Sequence, residues 1–131
     1  MRELYIDANV FIIAATEESG NAFELLTKIR NGEIMAMTSV LTIDEVLWVL
    51  KKVAGKEIAA QIAKAMFIFP NLTLVDATKE IISDALQIFV QKDLRPRDSI
   101  HLATMYVKNI STIASNDADF DKIKGIKRLS V

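Results

Sequence analysis

Cysteine is absent from this chain of 131 residues, which removes thiol nucleophiles, disulfide staples and thiolate zinc sites together. Histidine occurs once, at His101, so a histidine-rich metal site is impossible and any Ser-His-Asp arrangement has a single candidate base. Acid–base or metal chemistry must therefore fall mainly to carboxylates. Four glycines and two prolines leave little room for linkers. No internal repeat or low-complexity stretch interrupts the chain. Apolar runs stay short of the ~20 residues that span a bilayer, and Met1-Arg2-Glu3 leading straight into a strand-like segment is not a signal peptide. The expectation is one soluble domain, residues 1–131, in the cytoplasm and without membrane association. A chain of this length should withdraw roughly two-thirds of its unfolded surface from water, enough for a core without staples.

What is present is charge of both signs, unevenly spread. The net charge is −1, but residues 1–50 carry three basic and eight acidic side chains, residues 51–91 five and four, and residues 92–131 eight and five. An acidic first part folded against a basic last part can set a carboxylate cluster beside a basic rim. Ordinary scatter of solvated charges is the plainer alternative, and the count alone favours it.

The hydrophobic pattern alternates short strands with helices. Glu3 to Asp7 is a buried strand ending in an acid, followed by a helical stretch through Val10, Phe11 and Ile13. Ser19 or Asn21 starts a second helix that stops at Asn31-Gly32. Ile34 to Thr38 is a strand, and Ser39 caps a helix with the apolar stripe Ile43, Val46, Leu47 and Leu50, ending near Gly55. Lys56 to Phe69 is a further helix, broken by Pro70-Asn71. Leu72 to Val75 is a strand, with Asp76 as cap of the helix that follows. Pro96 opens another helix, as a proline at a helix start does. Ile110 to Ala114 and Lys127 to Val131 complete five strands, with a short helical turn over Asp119 to Ile123. This alternation predicts an α/β fold in three layers, a central, mostly parallel five-stranded sheet flanked by helices.

In such sheets ligands sit beyond the carboxyl ends of the strands. Asp7 ends the first strand there, Asp117 follows the fourth, Asp98 lies in the first turn of the helix leading into it, and Glu45 lies early in its own helix at the border of the apolar stripe. Singly, each acid has an ordinary role: Asp98 as a first-turn dipole partner, Glu45 as a solvated partner of Lys52, Asp117 and Asp119 as turn residues. Asp7 fits such a role least, because it stands between two apolar segments. Together, like charges about 4 Å apart repel by ~4 kcal/mol at an effective dielectric near 20, so a converging cluster calls for a cation. All-oxygen ligands favour Mg²⁺ or Mn²⁺, which can activate water against a phosphodiester.

Four pieces in order carry a family resemblance: Tyr5-Ile6-Asp7-Ala8-Asn9-Val10, Thr42-Ile43-Asp44-Glu45-Val46, Arg97-Asp98-Ser99-Ile100-His101-Leu102-Ala103, and Ser115-Asn116-Asp117-Ala118-Asp119-Phe120-Asp121. The sequence resembles PIN-domain proteins of the VapC toxin-ribonuclease type over essentially its whole length. The resemblance implies a PIN fold and a Mg²⁺- or Mn²⁺-dependent endoribonuclease, with Asp7, Glu45, Asp98 and Asp117 as the acidic quartet that binds metal. Asn9 and Ser115 match polar positions assisting that site. Spacing leaves open whether Asp117 or Asp119 faces the metal, with strand register favouring Asp117. The resemblance also implies an RNA substrate, a homodimer and an inhibitory antitoxin partner.

Several other side chains have local readings. Arg95, Arg97 and Lys122 flank the acids and suit RNA phosphates, or else are solvated surface. Asp44 points away from Glu45 around the helix, toward solvent. His101 reads as a helix-surface or packing residue, and Trp48 as core or interface. A haloacid-dehalogenase-like phosphatase fits poorly, because Asn9 cannot supply the proton that chemistry needs two residues after its nucleophile. The remaining alternatives are an RNA-processing PIN nuclease without an antitoxin and a non-catalytic RNA-binding or scaffold module.

Overall fold

The computed structural model describes residues 2–131. Its first strand, β1 (Arg2–Ile6), shows how the layers arise. Leu4 and Ile6 point to one face of the sheet and Tyr5 to the other, the two-residue alternation of an extended chain, and all three are fully buried. Burial on both faces is what a parallel strand covered by helices requires.

From β1 the chain passes through α1 (Ala8–Thr16) and α2 (Asn21–Arg30) to β2 (Ile34–Ser39), then through α3 (Leu41–Ala54) and α4 (Lys56–Phe67) to β3 (Leu72–Val75). It returns through α5 (Lys79–Gln91) and α6 (Pro96–Val107) to β4 (Thr112–Ala114), and a 3₁₀ turn, Ala118–Lys122, precedes β5 (Lys127–Leu129). The five strands form one sheet in the order β3-β2-β1-β4-β5, and each of the four pairings is parallel. The chain thus moves outward on one side of β1 and then reverses to the other. Right-handed crossovers place their helices on opposite faces when the direction reverses. Accordingly, Val10, Ile29, Val46, Leu50 and Met66 of α1–α4 pack with Leu4 and Ile6, whereas Ile81, Ile88, Leu102 and Met105 of α5 and α6 pack with Tyr5 and Ile113. The reversal leaves a switch point between β1 and β4, where a crevice opens beyond the strand ends.

Element boundaries depart from the sequence expectation where two cap types compete. Thr78, not Asp76, caps α5: its Oγ1 accepts the Ile81 N–H at 3.2 Å. Both residue types are favoured in that role, Asp somewhat more than Thr, so the local preference pointed two residues too early. Ser39 ends β2 and its hydroxyl accepts the Leu41 N–H at 3.1 Å, while Val40 holds the cap position of α3. α4 stops at Phe67, two residues before the expected end. β4 begins at Thr112 because Ile110 still belongs to the end of α6, its N–H bonding the Met105 carbonyl at 3.0 Å past Asn109, whose φ of 56° is left-handed. β5 ends at Leu129 because β4, its partner, offers three residues to pair. No helix of the described residues is long and apolar enough to cross a membrane.

Candidate metal centre at the sheet edge

Asp7 is the first residue past β1, and its N–H continues the ladder to the Ala114 carbonyl at 3.0 Å. Strand pairing therefore delivers it to the switch point. Its side chain is buried and accepts from the Ala8 N–H at 2.7 Å, the Ser115 hydroxyl at 2.6 Å and the Asn9 amide at 3.2 Å. Asn9 and Ser115 also bond each other at 3.2 Å. The Ser115 oxygen in turn accepts the Asp117 N–H at 3.0 Å, and Asp117 Oδ1 accepts the Asp119 N–H at 2.9 Å. The loop after β4 is thus latched to the end of β1 through one hydroxyl.

Glu45 reaches the same edge from α3, its Oε1 2.7 Å from His101 Nε2. His101 is fully buried, which overturns a helix-surface position. Its Nε2 is 3.7 Å from Asp7 Oδ1, and its Nδ1 is 2.6 Å from the Tyr5 hydroxyl. Burial lowers the His101 pKa, but the Glu45 hydrogen bond and the charges of Asp7, Glu45 and Asp98 outweigh it and hold the ring above its ordinary value. Burial pushes the Tyr5 phenol far above its usual range, so it stays protonated.

Asp98 lies in the first turn of α6, buried against the sheet. Burial pushes its carboxyl up to about 6; the Arg95 guanidinium pulls it back, and the charges of Asp7 and Asp117 push it up again. Arg95 Nε bonds Asp98 at 3.1 Å while its Nη2 bonds Asp117. Arg97 pairs with Asp44 at 3.2 Å across exposed surface, and Lys122 pairs with Asp119 at 3.3 Å and Asp93 at 3.4 Å. A cleft of about 390 Å³ opens here, lined by Glu45, Arg95, Pro96, Arg97 and Asp98.

Two sets of ligand-type atoms result, Asp7 with Glu45 and His101, and Asp98 with Asp117 and Asp119, each set within 4.8 Å. The residues fit a hard divalent cation: in both sets the donors are carboxylate oxygens, save for the one ring nitrogen of His101. Asp119 is the more exposed of the two loop acids, at 41% against 17% for Asp117. Asp44 faces solvent, as its place on the helix predicts. Lys52 does not pair with Glu45; it lies 4.4 Å over the Trp48 ring, and Trp48 is exposed rather than part of the core.

Sequence reasoning missed Tyr5 and the buried setting of His101. Two signals were available. A tyrosine within a strand buried on both faces must find a partner for its hydroxyl. Asp98 and His101, three apart, share one face of α6, so a buried Asp98 draws His101 inward as well. The Thr38 hydroxyl, which donates to the Ile6 carbonyl at 2.6 Å and pairs with Thr42 Oγ1 at 2.6 Å, was also unforeseen. It ties β2 and α3 to the last residue of β1.

The fold and this edge define an open parallel α/β protein with a carboxylate-lined crevice at its switch point. The PIN domain profile matches residues 4–126, and the chain belongs to the PIN-domain family. No curated protein sequence matches the chain. The fold is similar to VapBC from Salmonella typhimurium bound to DNA, with a TM-score of 0.77 at 15% identity over 99% of this chain and 98% of that one. It is also similar to VapBC2 from Rickettsia felis bound to a promoter DNA fragment, with a TM-score of 0.76 at 12% identity over 98% of each chain. A third likeness is to the sarcin-ricin loop cleaving toxin VapC20 of Mycobacterium tuberculosis, with a TM-score of 0.71 at 19% identity over 90% of this chain and 92% of that one.

Proposed function

We propose that the chain is a Mg²⁺- or Mn²⁺-dependent endoribonuclease, the toxin of a toxin–antitoxin pair. The observation that carries this reading is the meeting of Asp7, Glu45, Asp98 and Asp117 at the switch point of a PIN fold. Asp7 and Asp98 are the buried members, with Glu45 and Asp117 at the rim. When bound, a hard divalent cation would supply an activated water and charge neutralisation at the scissile phosphate. The chain's own residues do the rest. Ser115 and Asn9 orient the Asp7 carboxylate, and the Asp117 N–H is held by the same serine. Arg95 bonds Asp98 and Asp117; with a cation bound to those acids it would be free to hold a substrate phosphate, and Arg97 and Lys122 would extend that basic rim.

The fold shared with VapBC proteins supports the toxin reading and, with it, an antitoxin partner. Exposed apolar side chains such as Trp48, Phe67 and Ile68 support a protein partner or a second copy of the chain. The test is cleavage of RNA with Mg²⁺ or Mn²⁺, compared with chelator and with Asp7→Asn. Loss of cleavage in both comparisons is the expected result; undiminished cleavage by Asp7→Asn would overturn the reading.

A further inference from the structure

The buried pair Tyr5 and His101 lies outside the acidic quartet, yet it occupies the centre of the molecule and ends on one of the four acids. The partners of each atom determine what the pair can do. The Tyr5 oxygen accepts the Ser39 N–H at 3.1 Å, which leaves the phenol one proton to donate. His101 Nδ1 lies 2.6 Å from the same oxygen. A carboxylate only accepts, so a ring nitrogen that faces one carries a proton. Nε2 faces Glu45 Oε1 at 2.7 Å. The Ser39 N–H, the Tyr5 hydroxyl, the His101 ring and the Glu45 carboxylate therefore form one continuous hydrogen-bonded series, which ends with Nε2–H donating to Glu45.

We infer that Tyr5 and His101 are positioning residues: the Tyr5 hydroxyl fixes the orientation of the His101 ring, whose Nε2–H holds the Glu45 carboxylate in its place at the metal-binding edge. Glu45 has particular need of such a hold. Asp7 is fixed by three hydrogen bonds and lies directly at a strand end, whereas Glu45 sits on a longer side chain projecting from a helix, and the His101 contact is its single side-chain bond among the described residues. The series starts at a backbone N–H at the end of β2 and crosses β1 to α6, so Glu45 is set by rigid elements rather than by its own helix. One Glu45 oxygen accepts from His101, and the other remains free to face a cation. This inference rests on the reading of Glu45 as a metal-facing acid.

The test begins with the unaltered, metal-free chain. Nitrogen-15 NMR of the His101 ring should show Nε2 protonated; an unprotonated Nε2 would overturn the inference without any variant being made. Mn²⁺ binding, read by electron paramagnetic resonance, is then compared across substitutions. Tyr5→Phe and His101→Leu should each weaken binding about tenfold, within the range for loss of a group that orients a metal ligand. His101→Gln, whose amide N–H can stand near the position of Nε2, should recover much of the affinity that His101→Leu loses. Equal Mn²⁺ affinity in folded wild type, Tyr5→Phe and His101→Leu would overturn the positioning role while leaving the nuclease reading intact. A wild-type chain that binds no Mn²⁺ would overturn both.

Discussion

The two halves of the acidic edge are built by different physics. In the inner half, Asp7, Glu45 and His101 are tied by hydrogen bonds to one another and to Ser115, Asn9 and Tyr5, and these groups come from β1 and its end, α1, α3, α6 and the loop after β4. In the outer half, Asp98, Asp117 and Asp119 are met by Arg95 and Lys122, whose side chains are 69% and 51% exposed. The inner half is held by hydrogen bonds from mostly buried partners, and the outer half is balanced by long surface cations that water screens. Geometry is therefore fixed in the inner half, and charge is left adjustable in the outer half.

This contrast can be broken or sharpened by substitution. The largest effect is expected at the inner half: Asp7→Asn should reduce metal-dependent RNA cleavage at least about a hundredfold with the fold retained, because it removes a donor charge while keeping the side-chain shape. Circular dichroism alongside the cleavage assay checks both parts. Tyr5→Phe should lower stability by about 1–3 kcal/mol in urea titration, since it strands the buried Ser39 N–H and His101 Nδ1 together. In the outer half the sign reverses. Asp98→Asn should raise the melting temperature of the metal-free chain at neutral pH, because the charge it removes is one that burial and the Asp7 and Asp117 charges already disfavour. The smallest effect is expected for Arg95→Ala, a change of about 1 kcal/mol or less in metal-free stability, as for other ion pairs carried by exposed side chains. The same variant should show a larger rise in melting temperature on adding Mg²⁺ than wild type does, because Arg95 no longer competes for Asp98 and Asp117. Equal metal-induced shifts would show that the outer half is not held by Arg95 at all.

The parts of this edge that were legible in the sequence are those set by local pattern. Strand alternation around Leu4-Tyr5-Ile6 ending in Asp7, Pro96 opening α6 ahead of Asp98, and the end of β4 at Ala114 before Ser115 each follow from neighbouring residues. Together with right-handed crossovers they place the four acids at one edge. Cap choice was less legible, since the local preference for Asp over Thr pointed to Asp76 rather than Thr78. His101 was the least legible. Its partners Tyr5 and Glu45 are 96 and 56 residues away, and a lone histidine carries no spacing from which such partners could be read. The role of Arg95 as a counter-ion to Asp98 and Asp117 lay equally out of reach, because a basic residue beside an acid suits a phosphate as well as a neighbouring carboxylate.

The latch between Ser115 and Asp7 joins residues 108 apart, and the Tyr5–His101 bond joins residues 96 apart. Contacts of that separation form late, since the intervening chain must first be gathered in at an entropic cost. A growing polypeptide therefore holds Asp7 and Glu45 long before it holds the residues that orient them. A chain that ends before His101 and Ser115 lacks the side chains that set Glu45 and Asp7, so this edge takes its form only after those residues have been made.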